Sequence, residues 1–173
     1  IIDFYNIMTY DFHGSWSDHS GHNSPLYHGR DPHCDSSVET GVNYLEGRGV
    51  PPDKINLGLA FYGRKFNNST ELYDKCGGDC SDTYMNYHDI LPLIKAGAKE
   101  LWDEDSQAPY ILTKPGVITY ENEKSLRIKV DYGLKERKMG GVFMWDITGD
   151  FYEAEQPLLN AMYEQTKAFC GEK

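Results

Sequence analysis

Residues 3–14, DFYNIMTYDFHG, decide the fold. This apolar, aromatic and β-branched run has the length of a strand, and it ends in Tyr10-Asp11 before a loop rich in Gly, Ser, His and Asn. Its composition predicts a strand buried on both faces, as parallel strands are. Tyr10 and Asp11 then lie at the carboxyl end of the strand, where α/β folds place their ligand chemistry. A core tyrosine followed by a turn aspartate would give the same pattern, so other segments must decide.

The following segments predict a strand–helix–strand unit. Residues 12–35 form a long loop, and long loops without regular structure are typical of functional sites. Ser36-x-x-Glu39 has the spacing of a capping box, and the apolar residues after it share one face of a helix. Residues 55–62 form the next buried strand. A helix between two buried strands is the repeating unit of a parallel sheet.

The stretch from 63 to 119 is too long for an ordinary connection. Its predicted elements are a short helix at 87–96, a turn at 114–116, and antiparallel strands at 101–104, 109–112 and 116–120. We interpret this stretch as a small α+β insertion. The alternation then resumes with a helix at 122–138, whose apolar stripe is Leu126, Val130 and Leu134, a strand at 142–145 and a helix at 155–169.

The charge balance argues against two classes of partner. The chain holds 17 Lys and Arg against 27 Asp and Glu, which gives a net charge of −10. Nucleic acids and anionic membranes are bound through basic patches, so neither is an expected partner. No run approaches the ~20 consecutive apolar residues that a membrane helix needs. A neutral polymer is compatible with an acidic surface, and the aromatic content of 13% suits the apolar faces of sugar rings.

Three segments carry a recognisable pattern. They are Met8-x-Tyr10-Asp11-x-x-Gly14 with Trp16 and 21–27 (GHNSPLY), then 57–66 (LGLAFYGRKF), then 140–146 (GGVFMWD). In this order they closely resemble the sixth strand with its loop, the seventh strand and the eighth strand of family 18 glycoside hydrolases, the chitinases and their relatives. The resemblance extends over nearly the whole chain, but not over a whole enzyme.

The resemblance implies an α/β fold, namely a partial TIM (β/α)8 barrel (strands 6–8) with an α+β insertion domain. Residues 1–61 would carry strands 6 and 7, residues 62–119 the chitinase insertion domain, and residues 120–173 the last helix–strand–helix part of the barrel. A chain that begins inside a strand is expected to be a fragment, and its expected partner is the missing N-terminal half of the barrel.

The resemblance also implies a secreted, extracellular protein. Disulfide bonds form in that compartment, so we expect a local Cys76–Cys80 bridge. Zinc binding by these two cysteines is the weaker alternative, because no second pair of ligands follows at the required spacing.

Family 18 enzymes use the N-acetyl group of the bound sugar as the nucleophile and one Glu as the acid. By resemblance, Tyr10 and Asp11 are catalytic residues that contact the acetamide and a sugar hydroxyl. The implied substrate-binding residues are Met8 near the acetamide pocket, Trp145 beneath the sugar next to the cleaved bond, and Tyr62 and Arg64 beside neighbouring sugars. The expected ligand is chitin or a chito-oligosaccharide, and neither a metal nor a cofactor is expected.

Most of these assignments have a structural alternative. Trp145 could belong to the core, and Arg64 could pair with a surface acid. Trp102 is expected to pack within the insertion, while Asp146 and Asp150 are expected to form turns and caps. The six histidines are scattered through loops without metal-ligand spacing, so we expect them to be solvated or capping residues.

The family's acid lies in the pattern Asp-x-x-Asp-x-Asp-x-Glu on its fourth strand, and no segment here matches it. General acid catalysis contributes roughly 10²–10⁴-fold, so this chain alone is expected to be inactive. The parent is expected to be a chitinase that hydrolyses β-1,4-linked N-acetylglucosamine polymers with retention. Two alternatives stay open: a chitinase-like lectin that binds chito-oligosaccharides without hydrolysis, and a growth-factor-like relative that uses the barrel only as a scaffold.

Overall fold

The computed structural model describes residues 2–34, 36–76 and 80–171. In chain order its elements are β1 (Tyr5–Ile7), α1 (Val38–Glu46), β2 (Ile55–Ala60), β3 (Tyr62–Phe66), β4 (Asp82–Asn86), α2 (Tyr87–Lys95), β5 (Glu100–Asp103), β6 (Ala108–Leu112), β7 (Val117–Thr119), α3 (Glu123–Asp131), β8 (Gly141–Trp145) and α4 (Pro157–Gly171). A π-helical segment, Tyr132–Glu136, continues α3. These elements form a mixed α/β fold with two sheets.

Three parallel strands form the first sheet, in the order β1-β2-β8. Ile7 lies beside Leu57, and Leu57 lies beside Val142. The central strand β2 is buried at every position except Asn56, as the apolar sequence predicts. A Cβ at Gly58 would lie 2.5 Å from the carbonyl oxygen of Ile7, so glycine is what allows β1 to approach β2 this closely.

Five antiparallel strands form the second sheet, in the order β4-β3-β7-β6-β5. The chain passes from the first sheet to the second at Phe61, whose side chain is fully buried and whose N–H donates to the carbonyl oxygen of Trp145 (2.8 Å). The predicted strand 55–62 is therefore two strands in different sheets, since β3 begins at Tyr62. The predicted meander of β5, β6 and β7 is confirmed, whereas β4 was not predicted.

Helix α1 begins one residue later than the capping-box prediction. Its N-cap is Ser37, whose hydroxyl accepts from the N–H of Thr40 (3.2 Å), while the Thr40 hydroxyl accepts from the N–H of Ser37 (2.8 Å). The prediction of Ser36 and Glu39 as the capping box is wrong. Two consecutive serines could cap this helix, and the complete burial of Ser37 selects the second.

A buried lysine of helix α3 holds the long loop that follows β1. The predicted apolar stripe is confirmed, since Leu126 and Val130 are fully buried. Lys129 on the same helix is also fully buried. Its ammonium group pairs with the carboxylate of Glu121 and donates to the Ser24 hydroxyl (2.9 Å). The loop between β1 and α1, residues 8–37, is thereby fastened to α3.

Two further features bear on the sequence predictions. Cys76 and Cys80 form a disulfide bond, as expected, and residues 77–79 between them lie outside the described residues. In the part of the chain that the structure describes, none of the helices has both the length and the apolar character that crossing a membrane requires.

Replacing Lys129 by Met in the full-length protein is expected to lower the free energy of unfolding by about 3–5 kcal/mol, because the carboxylate of Glu121 would keep its hydrogen bond from Ser125 but would stay buried without a countercharge. Combining Lys129→Met with Glu121→Gln removes both charges and is expected to recover most of the loss. Urea unfolding followed by circular dichroism measures both changes.

Lys124→Met is the matched control, because Lys124 lies on the same helix but is exposed. Its ammonium group lies over the face of the Trp102 ring, 3.5 Å from the ring centroid, so the expected loss is about 1 kcal/mol or less. If the double variant Lys129→Met/Glu121→Gln is as unstable as Lys129→Met alone, the loss of stability does not come from an unpaired charge on Glu121.

Candidate functional site

The three parallel strands end at the same edge of their sheet, because parallel neighbours share one direction. The residues at or just beyond these ends are Met8, Tyr10 and Asp11 after β1, Tyr62 after β2, and Trp145 at the end of β8. Since β2 pairs with both other strands, the three ends are adjacent, and Trp145 is in register with Ala60. Arg64 reaches the same edge from β3. The structure thus brings the residues singled out in the sequence to one place.

Asp11 is the centre of a hydrogen-bond network. Its Oδ1 accepts from the hydroxyl of Tyr62 (2.6 Å) and from Nη2 and Nε of Arg64 (2.6 and 3.2 Å). Nη1 of Arg64 donates to Oδ2 of Asp82 (2.6 Å). The backbone of Asp11 has a φ of +61°, in the left-handed region, and its N–H donates to Oδ1 of Asn23 (3.2 Å). The carboxylate is therefore positioned by its own loop and by β3 together.

The site combines a buried layer with an exposed one. Tyr10 and Tyr62 are 7% and 2% exposed, and their rings meet edge to face with 5.9 Å between centroids. Met8, Trp16 and Trp145 are instead 72%, 61% and 57% exposed. Exposed apolar side chains beside a fixed polar network are the combination that ligand sites use, since apolar contact gives affinity and polar groups give orientation.

The environment keeps the two buried phenols protonated. Burial raises the pKa of Tyr62 far above its ordinary value, and the hydrogen bond to Asp11 and the negative charge there raise it further. Burial, followed by the charge of Asp11, also raises the pKa of Tyr10. For Arg64 burial acts in the opposite direction, but the hydrogen bonds to Asp11 and Asp82 outweigh it and raise the pKa. The site therefore offers O–H and N–H donors around one carboxylate.

Two residues of the unpredicted strand β4 complete the network. The side chain of Asp82 is 5% exposed and pairs with Arg64. Tyr84 lies opposite Arg64 in the β3–β4 pair, and its ring stacks on that of Tyr62 with 4.7 Å between centroids. Thr83 and Tyr84 favour a strand, but β4 begins with Asp82 and ends with Asn86, residue types that strands disfavour, so the strand signal is weak. No rule applied to the sequence alone pairs this segment with β3.

The prediction that the histidines are solvated or capping is wrong for three of the six. His13, His19 and His22 are only 2%, 4% and 1% exposed. Nε2 of His22 lies 3.2 Å from the carboxylate of Asp103. The physical reason is that loop 8–37 packs against β7 and against the turn between β5 and β6, so its side chains are covered.

The capping predictions are confirmed. Asp146 accepts from the N–H of Thr148 (2.8 Å), and Asp150 accepts from the N–H groups of Leu158 and Leu159 (3.0 and 2.8 Å) at the start of α4. These two carboxylates stabilise turns and helix ends beside the site.

Comparisons with known proteins agree on one family. The family model "Glycosyl hydrolases family 18" matches residues 1–150. Human chitinase-3-like protein 2 is 33% identical over 164 residues, which cover 86% of this chain and 42% of that protein. Chitinase A1 of Niallia circulans is 30% identical over 183 residues, which cover 93% of this chain and 26% of that protein. The resemblance inferred from the three motifs is thus confirmed.

A solved structure shares the fold. Human YKL-39, described as a pseudo-chitinase with retained chitooligosaccharide binding, aligns with a TM-score of 0.85 and 30% identity over 95% of this chain and 50% of its own. The chain therefore spans half or less of the length of these relatives.

Replacing Arg64 by Met in the full-length protein is expected to lower the free energy of unfolding by about 3 kcal/mol, because Asp82 would be left buried and unpaired. Arg30→Met is the matched control, since the Arg30–Asp105 pair is exposed on both sides, at 81% and 44% of the side-chain surface. Its expected loss is below about 1 kcal/mol. Thermal and urea unfolding measure both, and equal losses would contradict the assignment of Arg64 to a buried network.

Proposed function

We propose, since this chain belongs to glycosyl hydrolase family 18, that it is the carboxyl-terminal half of the catalytic domain of a chitinase. Strands β1, β2 and β8 would be strands 6–8 of a TIM (β/α)8 barrel, and residues 62–119 would be its α+β insertion domain. Within the described residues, β1 and β8 each pair only with β2. Each therefore has an open edge that another barrel strand would cover, which supports a missing N-terminal half.

The proposed reaction is the hydrolysis of β-1,4-linked N-acetylglucosamine polymers with retention. One observation carries it: the carboxylate of Asp11, held by Tyr62 and Arg64, lies at strand ends adjacent to the exposed indole of Trp145. In this mechanism the acetamide oxygen of the sugar attacks its own anomeric carbon, and a Glu of the missing half protonates the leaving oxygen.

The residues of this chain would orient the sugar. The phenol of Tyr10, whose raised pKa keeps it protonated, would donate to the acetamide, and Asp11 would accept from the sugar. Trp145 would lie beneath the apolar face of the ring, with Met8 beside the acetamide. Fixing the acetamide close to the anomeric carbon would lower the entropy cost of the attack.

A chitinase-like lectin is the second candidate. The human relative described as a pseudo-chitinase with retained chitooligosaccharide binding favours it, because the sugar-binding residues and the acid lie in different halves of such a protein. Hydrolysis of a chito-oligosaccharide by the full-length parent distinguishes the two candidates: cleavage requires the acid, whereas binding requires only the site described here.

We also propose that the parent is secreted. The disulfide bond between Cys76 and Cys80 supports an oxidising compartment.

Trp145→Ala in the full-length protein is expected to weaken chito-oligosaccharide binding roughly 10- to 100-fold, since burying an aromatic ring stabilises by about 1.5–3 kcal/mol. Tyr163→Ala is the matched control, because Tyr163 is exposed to the same degree (60%) but lies on α4. Isothermal titration calorimetry measures the affinities. Equal affinities of the two variants would refute Trp145 as a sugar-binding residue for the enzyme and the lectin alike.

Asp11→Asn is expected to lower kcat of the parent chitinase by roughly 10²-fold, because an oriented charge at the reacting sugar is lost. Asp53→Asn, at the amino end of β2, removes an exposed carboxylate remote from the site and is expected to keep kcat unchanged. Initial rates on a chito-oligosaccharide measure the effect. A variant Asp11→Asn with the original kcat would exclude a catalytic role for this carboxylate.

A further inference from the structure

Loop 8–37 brings together three potential metal ligands that take no part in the Asp11 network. Nε2 of His13 lies 3.2 Å from Nε2 of His19 and 2.9 Å from Oδ2 of Asp31, and Nε2 of His19 lies 3.1 Å from the same Oδ2. All three side chains are buried, with 3–5% of their surface exposed. Two imidazole nitrogens and one carboxylate oxygen thus form a nearly equilateral triangle.

The outer atoms of these three side chains are each held by a second partner. Nδ1 of His13 lies 2.9 Å from the carbonyl oxygen of His22, and Nδ1 of His19 lies 2.6 Å from the carboxylate of Asp18. Oδ1 of Asp31 accepts the backbone N–H groups of His33 and Cys34 (2.9 and 3.2 Å). Partners of this kind fix the tautomer and the direction of metal-ligating imidazoles and carboxylates in proteins.

The hydrogen-bond pattern determines where the ring hydrogens lie. A carbonyl oxygen and a carboxylate oxygen only accept, so Nδ1 of His13 and of His19 each carry a hydrogen. In the neutral rings Nε2 then presents a lone pair, and both lone pairs converge with that of the Asp31 oxygen. One added proton can form a hydrogen bond between two of these three atoms, whereas one metal cation can be bound by all three.

The dimensions of the triangle fit a zinc ion. Ligands at ~2.0–2.1 Å from zinc in a tetrahedral arrangement lie ~3.3 Å apart. The observed separations of 2.9, 3.1 and 3.2 Å differ from this by less than about half an ångström. A Cβ at Gly21 would lie 2.5 Å from the His13 ring, so glycine allows the imidazole to lie flat against the backbone here.

We propose that His13, His19 and Asp31 bind one zinc ion, with solvent at the fourth position. Imidazole and carboxylate are ligands that zinc accepts, and a set of two His and one acid is compatible with four-coordination. A surface depression of about 290 Å³, lined by His28, Asp31, Pro32, His33 and Cys34, gives access to the carboxylate side of the triangle.

The ion would cross-link parts of the chain that lie far apart in sequence. Its ligands come from the beginning, the middle and the end of loop 8–37, so the ion would cross-link that loop. The loop is also paired with the disulfide-bonded segment, since the N–H of Ser20 donates to the carbonyl oxygen of Asp74 (2.9 Å) and that of Cys76 to the carbonyl oxygen of Asp18 (3.0 Å). His13 follows Asp11 by two residues, so the cross-link would restrict the segment that carries the carboxylate. The inference does not depend on the proposed function.

Zinc binding to the full-length protein tests the proposal directly. The protein is stripped with a chelator, titrated with zinc by calorimetry, and its metal content is measured after dialysis. We expect one tightly bound zinc ion per chain and, with cobalt(II) as a probe, the visible absorption of a four-coordinate site. His19→Gln and Asp31→Asn are each expected to abolish this binding, while His28→Gln at the rim of the depression is expected to retain it.

A second variant covers the case in which a ligand replacement prevents folding. The side chain of Asp18 is 79% exposed, so Asp18→Ala is expected to fold, and the loss of its hydrogen bond to His19 should weaken zinc binding roughly 10- to 100-fold. Three results would overturn the proposal: less than one zinc ion per chain in the stripped and reloaded protein, binding that persists in Asp31→Asn, or an unchanged affinity in Asp18→Ala.

Discussion

The parallel pairing of β1, β2 and β8 is the constraint on which the rest of this structure depends. Parallel neighbours share a direction, so the residues that follow each strand must meet at one edge. The close approach of β1 to β2 requires the glycine at position 58, because a side chain there would meet the Ile7 carbonyl oxygen. Since a slip by one residue would turn every side chain to the opposite face, this register also determines that Trp145 lies at the edge beside Ala60.

A second constraint joins the two sheets. Asp11 belongs to the loop after the parallel sheet, whereas Tyr62, Arg64 and Asp82 belong to the antiparallel sheet. A charge pair of this kind is strong where water is excluded and costly to leave unpaired. The buried Lys129 makes a comparable connection between loop 8–37 and α3. The position of the carboxylate is thus a property of the assembled fold rather than of its own segment.

Sequence reasoning was accurate where local periodicity decides the structure. The buried strand β2 and the apolar stripe of α3 follow from residue type and spacing alone, because both elements bury one continuous surface. It failed where partners are remote in the chain: the pairing of Arg64 with Asp82, and the burial of His22 against Asp103, depend on how loop 8–37 and β4 pack. The assignment of Asp11 and Trp145 to the candidate site rested on the resemblance of their motifs to a known family, because neither residue type is unusual at a strand end.

The network around Asp11 reconciles two requirements that usually conflict. A binding carboxylate must be held in position before the ligand arrives, because ordering it afterwards lowers affinity. It must also remain accessible. The donors from Tyr62 and Arg64 all bind Oδ1, yet the Asp11 side chain keeps 43% of its surface exposed. Arg64 is in turn neutralised by the buried Asp82, so it anchors the carboxylate without making the site strongly cationic. A single unpaired arginine could fix the carboxylate equally well, but it would cancel the negative charge of Asp11.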